Sequence, residues 1–298
     1  MANTYAGLDR ILSGTGTGAI TPGCLVLEGG AFRGLYTQGF LDGMLRDGLN
    51  LSCVVGVSAG ALAGVNYVAG QIGRSARVNI GRRFDSRYIG LRALLHSGSP
   101  LDVGYLTEDR GIIEPLDRAR FDASPQRYVA VATSMLSGEP TYFEKGKEKD
   151  ILLCARASAS IPYFSPAVPI DGVPYLDGAC SCSIPYDWAL REGYEKIVVI
   201  RTREQAFRCD PAEKESARRK YRKYPAFAER LAKSNAAYND DCDTLERLAA
   251  EGRLLHITPS EPVSVGQIER NLDKLLALYE LGLKDYEAQK AALVEYLH

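Results

Sequence analysis

Histidine is scarce in this chain: 298 residues hold three, His96, His256 and His298. Any mechanism that needs an imidazole must draw on one of those. Long apolar runs are missing too. No stretch approaches the roughly 18 apolar residues of a membrane span, so no transmembrane segment is expected. The first ten residues lack a basic region followed by an apolar run, which predicts no secretory signal. Charge of one sign is not in excess, with 36 Lys and Arg against 37 Asp and Glu. That balance offers no overall attraction to a polyanion, so nucleic acid is not an expected partner. Paired cysteines are absent as a pattern. The seven, at 24, 53, 154, 180, 182, 209 and 242, are odd in number, and Cys180-Ser181-Cys182 has no second pair and no histidine cluster beside it. Reduced, mostly buried thiols in a cytoplasmic protein are expected, with no metal site.

What is present is ordinary for a globular protein: 46% apolar and 24% charged residues. This excludes a disordered tail, a collagen-like fibre and a small disulfide scaffold. Residues 1–22 include Ser13-Gly14-Thr15-Gly16-Thr17-Gly18 and read as a flexible leader. Buried strands are predicted over 24–28 and 52–57, each followed by a helix, over 35–45 and about 59–69. Further strands are predicted at 127–135 and 196–201, with 141–143 as a hairpin arm and 253–258 as a last strand. A helix is expected over 150–159, and residues 211–251 are charged and helical in pattern. Two amphipathic segments, about 264–281 and 283–297, finish the chain. Strand–helix–strand–helix order implies an α/β fold, a mainly parallel sheet with helices on both faces. With no linker-like composition shift and no internal repeat, 23–298 reads as one domain, helical from about 205 onward.

Three short motifs carry chemistry. Gly56-Val57-Ser58-Ala59-Gly60 is a G-x-S-x-G between a strand and a helix. A serine on that sharp turn needs small neighbours, and its Oγ is pushed into the open beside a helix N-terminus that favours negative charge. The bland alternative is a tight turn whose glycines serve packing alone. Glu28-Gly29-Gly30-Ala31-Phe32-Arg33-Gly34 follows the first strand. A dinucleotide site would want glycine where Ala31 stands and an acid at the end of the next strand, where the serine motif stands instead. As a backbone cradle, with Arg33 adding fixed charge, the loop could stabilise an oxyanion by about 3–4 kcal/mol per donor at best. A purely structural turn is the remaining reading. In Tyr175-Leu176-Asp177-Gly178-Ala179, Asp177 follows a short apolar segment and precedes a loop. Alone, an Asp-Gly is most often just a turn.

In this order the motifs E-G-G-A-F-R-G, G-V-S-A-G and D-G-A resemble the patatin-like phospholipase family, and its bacterial, cytoplasmic branch most of all. The runs Ala157-Ser158-Ala159-Ser160-Ile161-Pro162 and Ser183-Ile184-Pro185-Tyr186-Asp187-Trp188-Ala189 share that resemblance, which covers about residues 24–202. It implies a three-layer α/β/α fold, a lipid or fatty-acyl ester substrate and no cofactor. It further implies a Ser–Asp dyad, with Ser58 as nucleophile and Asp177 as base. The N–H groups around Gly29, Gly30 and Ala31 would form the oxyanion hole, supported by Arg33. Ala31 stands where the family's loop has a third glycine, and a positive φ there would strain it by roughly 1–2 kcal/mol.

Two rivals remain. One is a Ser–Asp–His triad through His256, which has the right chain order. The other is a catalytically idle lipid- or acyl-binding module. Residues 218–223, Arg-Arg-Lys-Tyr-Arg-Lys, place five basic residues within six positions. They could touch an anionic membrane surface, or form a solvated helix face paired with Glu213, Glu215 and Glu229.

Overall fold

Alternation along the first strand is two-sided. In the computed structural model of the protein, which describes residues 5–107, 114–266 and 268–298, Cys24 to Leu27 are all buried. Successive side chains of a strand point to opposite faces, so a strand buried throughout must be covered on both sides. The main elements in chain order are β1 (Ile20–Leu27), α1 (Gly34–Arg46), β2 (Asn50–Val57), α2 (Ala59–Val68), β3 (Arg127–Ser134), β4 (Pro140–Glu144), α3 (Ile151–Ser158), β5 (Val168–Ile170), β6 (Val173–Asp177), α4 (Tyr186–Arg191), β7 (Ile197–Ile200), α5 (Glu215–Lys220), α6 (Pro225–Ala232), α7 (Ser234–Ala250), β8 (Leu255–Ile257) and α8 (Leu272–Leu297), with four short helices between α2 and β3.

The strands lie in the order β8-β7-β1-β2-β3-β6-β5, with β4 also paired to β3. From β8 to β3 every pairing is parallel; β4, β5 and β6 join antiparallel. One face sends Leu25, Leu27, Val54, Tyr128 and Val198 into a core with Phe40 and Met44 of α1, Val65 of α2 and Tyr279 and Tyr286 of α8. The other sends Cys24, Val26, Val55, Val129 and Val199 against Trp188 of α4 and Tyr238, Leu245 and Leu248 of α7. The result is a three-layer α/β/α domain, as expected.

Three local expectations shift. The single helix α8 runs through Gly282, where two segments were expected. Glycine reads as a breaker in sequence, but here it serves close approach: a Cβ at Gly282 would fall inside the Tyr36 carbonyl of α1. Gln267, within the expected 264–281 segment, lies outside the described residues. Of the expected leader, residues 1–4 also lie outside them; Ala6–Arg10 form a 3₁₀ turn, Ile11 fills a core site, and Gly14–Thr15 pair with Gln71–Ile72. Its described part is therefore packed on the domain. Third, β1 begins at Ile20, inside that leader.

Candidate active site

The sheet brings two distant motifs to one place. Parallel pairing sets Val57, the last residue of β2, beside Val131 of β3, while antiparallel pairing sets Asp177 of β6 opposite Ala132. Ser58 therefore emerges from its strand end beside the end of β6. Its Oγ donates a 2.7 Å hydrogen bond to Asp177 Oδ2, and both residues are buried, at 5% and 4% exposure.

Each partner is held from behind. Ser58 has φ 55° and ψ −122°, outside the regions an L-residue prefers. The turn is tight enough that a Cβ at Gly56 would lie 2.6 Å from the Gly60 carbonyl carbon. The Ser58 N–H donates to Ser158 Oγ (2.9 Å), and that hydroxyl donates to the Val131 carbonyl (2.5 Å). Ser158 closes α3, whose start is capped by Asp150 accepting from the N–H groups of Leu152 and Leu153. The Asp177 N–H goes to the Ser160 carbonyl, its carbonyl accepts from Thr133 Oγ1, and its Oδ1 accepts from the Ala179 N–H at 2.9 Å. Burial raises the Asp177 carboxyl to about 6, against the smaller opposing pull of the Ser58 and Ala179 hydrogen bonds.

The glycine loop lies alongside. Gly29, Gly30, Ala31 and Arg33 line the same cleft as Ser58 and Asp177, about 640 Å³ in volume. Between the Glu28 N–H, which goes to the Ile200 carbonyl, and the Arg33 N–H, which goes to that of Gly30, no backbone N–H is engaged among the described residues. Ala31 has φ 49°. Glu28 Oε2 accepts from the Thr202 N–H and, at 3.0 Å, from its hydroxyl, which ties the loop to the chain after β7. Burial, and after it the Arg203 charge, pushes the Arg33 guanidinium below the usual arginine range. A narrower cavity of about 40 Å³ also reaches Ser58, lined by apolar side chains including Phe32, Leu62, Leu101 and Ile161.

Other candidates are not brought here. His256 sits on β8, three strands from β2, and at about 4.8 Å per strand that is roughly 14 Å away. Its Nε2 has no partner among the described residues, and burial, with Arg201 next, lowers the ring to about 4. His96 is exposed on the short helix Leu91–Ser97, and His298 is the last residue of the sequence. All seven cysteines are free thiols. Arg218 binds Glu213, Glu215 and Glu229, while Arg219, Lys220, Arg222 and Lys223 are exposed. Sequence reasoning missed three cleft contributors, Ser158 as a support and Arg203 and Lys214 in the lining. Ser158 lies in a run that resembles the family; the other two have no local signal.

The site holds a serine hydroxyl against a buried carboxylate, beside backbone N–H groups that have no partner among the described residues. Among the described residues, no helix is long and apolar enough to cross a membrane. Uncharacterized protein YjjU from Escherichia coli (strain K12) is 31% identical over 185 residues, covering 60% of this chain and 51% of that protein. Lysophospholipase NTE1 of Scheffersomyces stipitis is 25% identical over 203 residues, covering 66% of this chain but 12% of the enzyme. The chain thus spans about half the length of the first relative and far less of the second. Among solved structures, VipD from Legionella pneumophila superposes with a TM-score of 0.43 at 13% identity, over 91% of this chain and 67% of that one. Residues 224–298 match a domain of unknown function (DUF6363). Residues 25–190, more than half of the chain, match the model of patatin-like phospholipase, and the protein belongs to that family.

Proposed function

We propose that this chain is a serine acyl-ester hydrolase acting on lipid or fatty-acyl esters. The observation that carries the reading is the 2.7 Å hydrogen bond from Ser58 Oγ to a buried Asp177 at the edge of an open cleft. Ser58 attacks the ester carbonyl as Asp177 takes its proton. A carboxyl raised to about 6 is still ionised at neutral pH, yet is a stronger base than an ordinary aspartate. The negative oxygen of the tetrahedral intermediate is received by the N–H groups around Gly29, Gly30 and Ala31, with Arg33 supplying fixed charge. Asp177 returns the proton to the departing alcohol, then takes one from the water that resolves the acyl-enzyme. The acyl chain lies in the cleft of about 640 Å³ that holds Ser58 and Asp177.

The protein works from the cytoplasm in this reading. Four exposed basic residues, Arg219, Lys220, Arg222 and Lys223, give peripheral attraction to an anionic lipid surface, about 1 kcal/mol each near the surface. Arg218 is taken up by its three glutamates. A fluorophosphonate probe and a p-nitrophenyl ester series test the assignment. Wild type is expected to be labelled at Ser58 and to turn over esters, with Ser58→Ala slower by at least about a thousandfold. Equal hydrolysis by both proteins, with no labelling, would leave a binding module instead of an enzyme.

A further inference from the structure

Whether the glycine loop can receive a negative oxygen depends on which way its peptides face. Every peptide bond of the described chain is trans. In a trans peptide the carbonyl and the following N–H point in opposite directions. Whatever holds the Gly29 carbonyl to one side therefore turns the Gly30 N–H to the other.

That carbonyl is held by Thr202. Thr202 Oγ1 lies 3.1 Å from the Gly29 oxygen and 3.0 Å from Glu28 Oε2, with one proton to donate to either. Glu28 Oε2 also accepts from the Thr202 N–H, so the carboxylate keeps a partner when the hydroxyl serves the carbonyl. The approach is close, since a Cβ at Gly30 would lie 2.6 Å from Thr202 Oγ1. On the nucleophile's side, a Cβ at Gly29 would lie 3.0 Å from Ser58 Cβ. Gly29, Gly30 and Ser58 line the cleft, while Thr202 is wholly buried behind the loop. The Gly30 N–H, turned away from Thr202, has no backbone partner among the described residues and faces the cleft.

Thr202 is fixed in its turn. Parallel pairing sets Leu27 of β1 beside Ile200 of β7, so Glu28 runs alongside Arg201 and Thr202. Glu28 is buried, and a buried carboxylate needs a counter-charge. The wholly buried Arg201 supplies it. Burial works against the Arg201 guanidinium, and the Glu28 charge, followed by that of Tyr238, raises it above the usual arginine range. Arg201 is itself anchored, donating through Nη2 to the Tyr238 hydroxyl of α7 at 2.9 Å and through its N–H to the Ile257 carbonyl of β8.

We propose that Thr202 is a positioning residue for the oxyanion hole: its hydroxyl holds the Gly29 carbonyl back, and so presents the Gly30 N–H to the negative oxygen. Glu28 and Arg201 keep Thr202 in register. Thr202 and Arg201 lie outside both matched regions, 25–190 and 224–298. Without the hydroxyl, a peptide between two glycines turns over at little steric cost and puts a carbonyl where the N–H stood. The inference rests on the hydrolase reading, because the hole matters only where an oxyanion forms.

Thr202→Val keeps the shape and removes the hydroxyl, whereas Thr202→Ser retains it; both keep the N–H bond to Glu28. On a p-nitrophenyl ester, Thr202→Val is expected to lower kcat by about thirtyfold or more, with KM within about threefold. Thr202→Ser is expected to stay within about fivefold of wild type. An octyl trifluoromethyl ketone gives a second readout. Ser58 Oγ adds to its carbonyl carbon, the Ser58 proton passes to Asp177, and the carbonyl electron pair leaves a negative oxygen in the hole. The matching secondary alcohol cannot add. Thr202→Val is expected to weaken ketone inhibition by about thirtyfold and inhibition by the alcohol by less than about threefold. Should Thr202→Val fail to fold, Thr202→Ala takes its place in both comparisons. Equal weakening of ketone and alcohol would mean a structural role alone and would overturn the proposal. So would Ser58-dependent hydrolysis that is equal in the valine and serine variants, and the hydrolase reading would then stand. If wild type is no faster than Ser58→Ala and shows no fluorine NMR signal of a ketone adduct, the hydrolase reading falls and the proposal falls with it.

Discussion

Four non-glycine residues with positive φ are found in the described chain, and three of them, Ala31, Ser58 and Tyr163, line the cleft. Strain of that kind persists only where surroundings over-determine it, and it gathers at functional sites. The supports are visible for two of them: Ser58 is fixed by Ser158, and the Tyr163 N–H donates to the Tyr221 hydroxyl at 2.7 Å. At Ala31 the left-handed φ of 49° brings no hydrogen bond that glycine could not make, so the side chain contributes strain alone. Releasing it is worth about 1–2 kcal/mol, from which the greater unfolded-state freedom of glycine takes back about 0.5–1. Ala31→Gly is therefore expected to raise unfolding stability by about 0.5–1 kcal/mol in urea titrations. Lower stability in the variant would show that the methyl group packs usefully. The pairing of Ser58 with Asp177 was legible only through the resemblance of three motifs taken together, because an Asp-Gly alone reads as a turn. Arg203 and Lys214 were not, since only the turn after β7 and the packing of Phe207, Val263 and Ser234 bring them to the cleft.

At the scale of elements, the contact between α1 and α8 decides how the C-terminal helix is held. Gly39 of α1 faces the Tyr279 carbonyl and Gly282 of α8 faces that of Tyr36, so the two helices meet backbone to backbone. Tyr279 then reaches past its own helix to donate to Asp42 Oδ2 at 2.9 Å, and Tyr286 donates to Asp47 at the same distance. This explains why α8 read as two segments. Periodicity shows which residues are apolar, and it cannot tell a glycine that stops a helix from one that lets another helix touch it. The strands suffered less, because two-sided burial writes itself as an unbroken apolar run, as in Ile197–Ile200. Gly282→Ala separates the two accounts. In an exposed helix alanine is favoured over glycine by about 1 kcal/mol. Here the added methyl must push α8 from α1, and overpacking of this kind costs about 1–3 kcal/mol. A net loss of about 1–2 kcal/mol in urea denaturation is expected; a gain would mean that the helices can part without penalty.

Across the whole molecule, the buried acids give stability a pH slope opposite to the one the proposed hydrolysis requires. Burial raises Asp42 to about 7, and Asp177 and Asp241 to about 6. A carboxyl raised in the fold binds its proton more tightly there than in the unfolded chain, whose aspartates titrate near 3.9. Its stabilising effect is complete below that value and is lost as pH climbs through the folded one. Buried His256, lowered to about 4, acts oppositely: its contribution is complete above about 6.5 and fades as pH falls. The ion-paired acids Asp85 and Glu229, held near 2, stay ionised in both states until pH drops below about 4.5, so they add no slope near neutrality. Between pH 8 and 5.5 three acids outweigh one histidine, and the protein is expected to be more stable at pH 5.5, by about 2 kcal/mol. The proposed hydrolysis runs the other way: with Asp177 taking the Ser58 proton it must be ionised, so kcat/KM is expected to climb with pH about a midpoint near 6. Urea midpoints and ester turnover measured over the same pH series test both slopes. Asp42→Asn keeps an acceptor for the Tyr279 hydroxyl, and it should flatten the stability curve above pH 6 while leaving the midpoint of the activity curve in place. An activity midpoint that moved with Asp42→Asn would couple the Asp177 carboxylate to the contact between α1 and α8, and the two buried acids could then no longer be treated as independent sites.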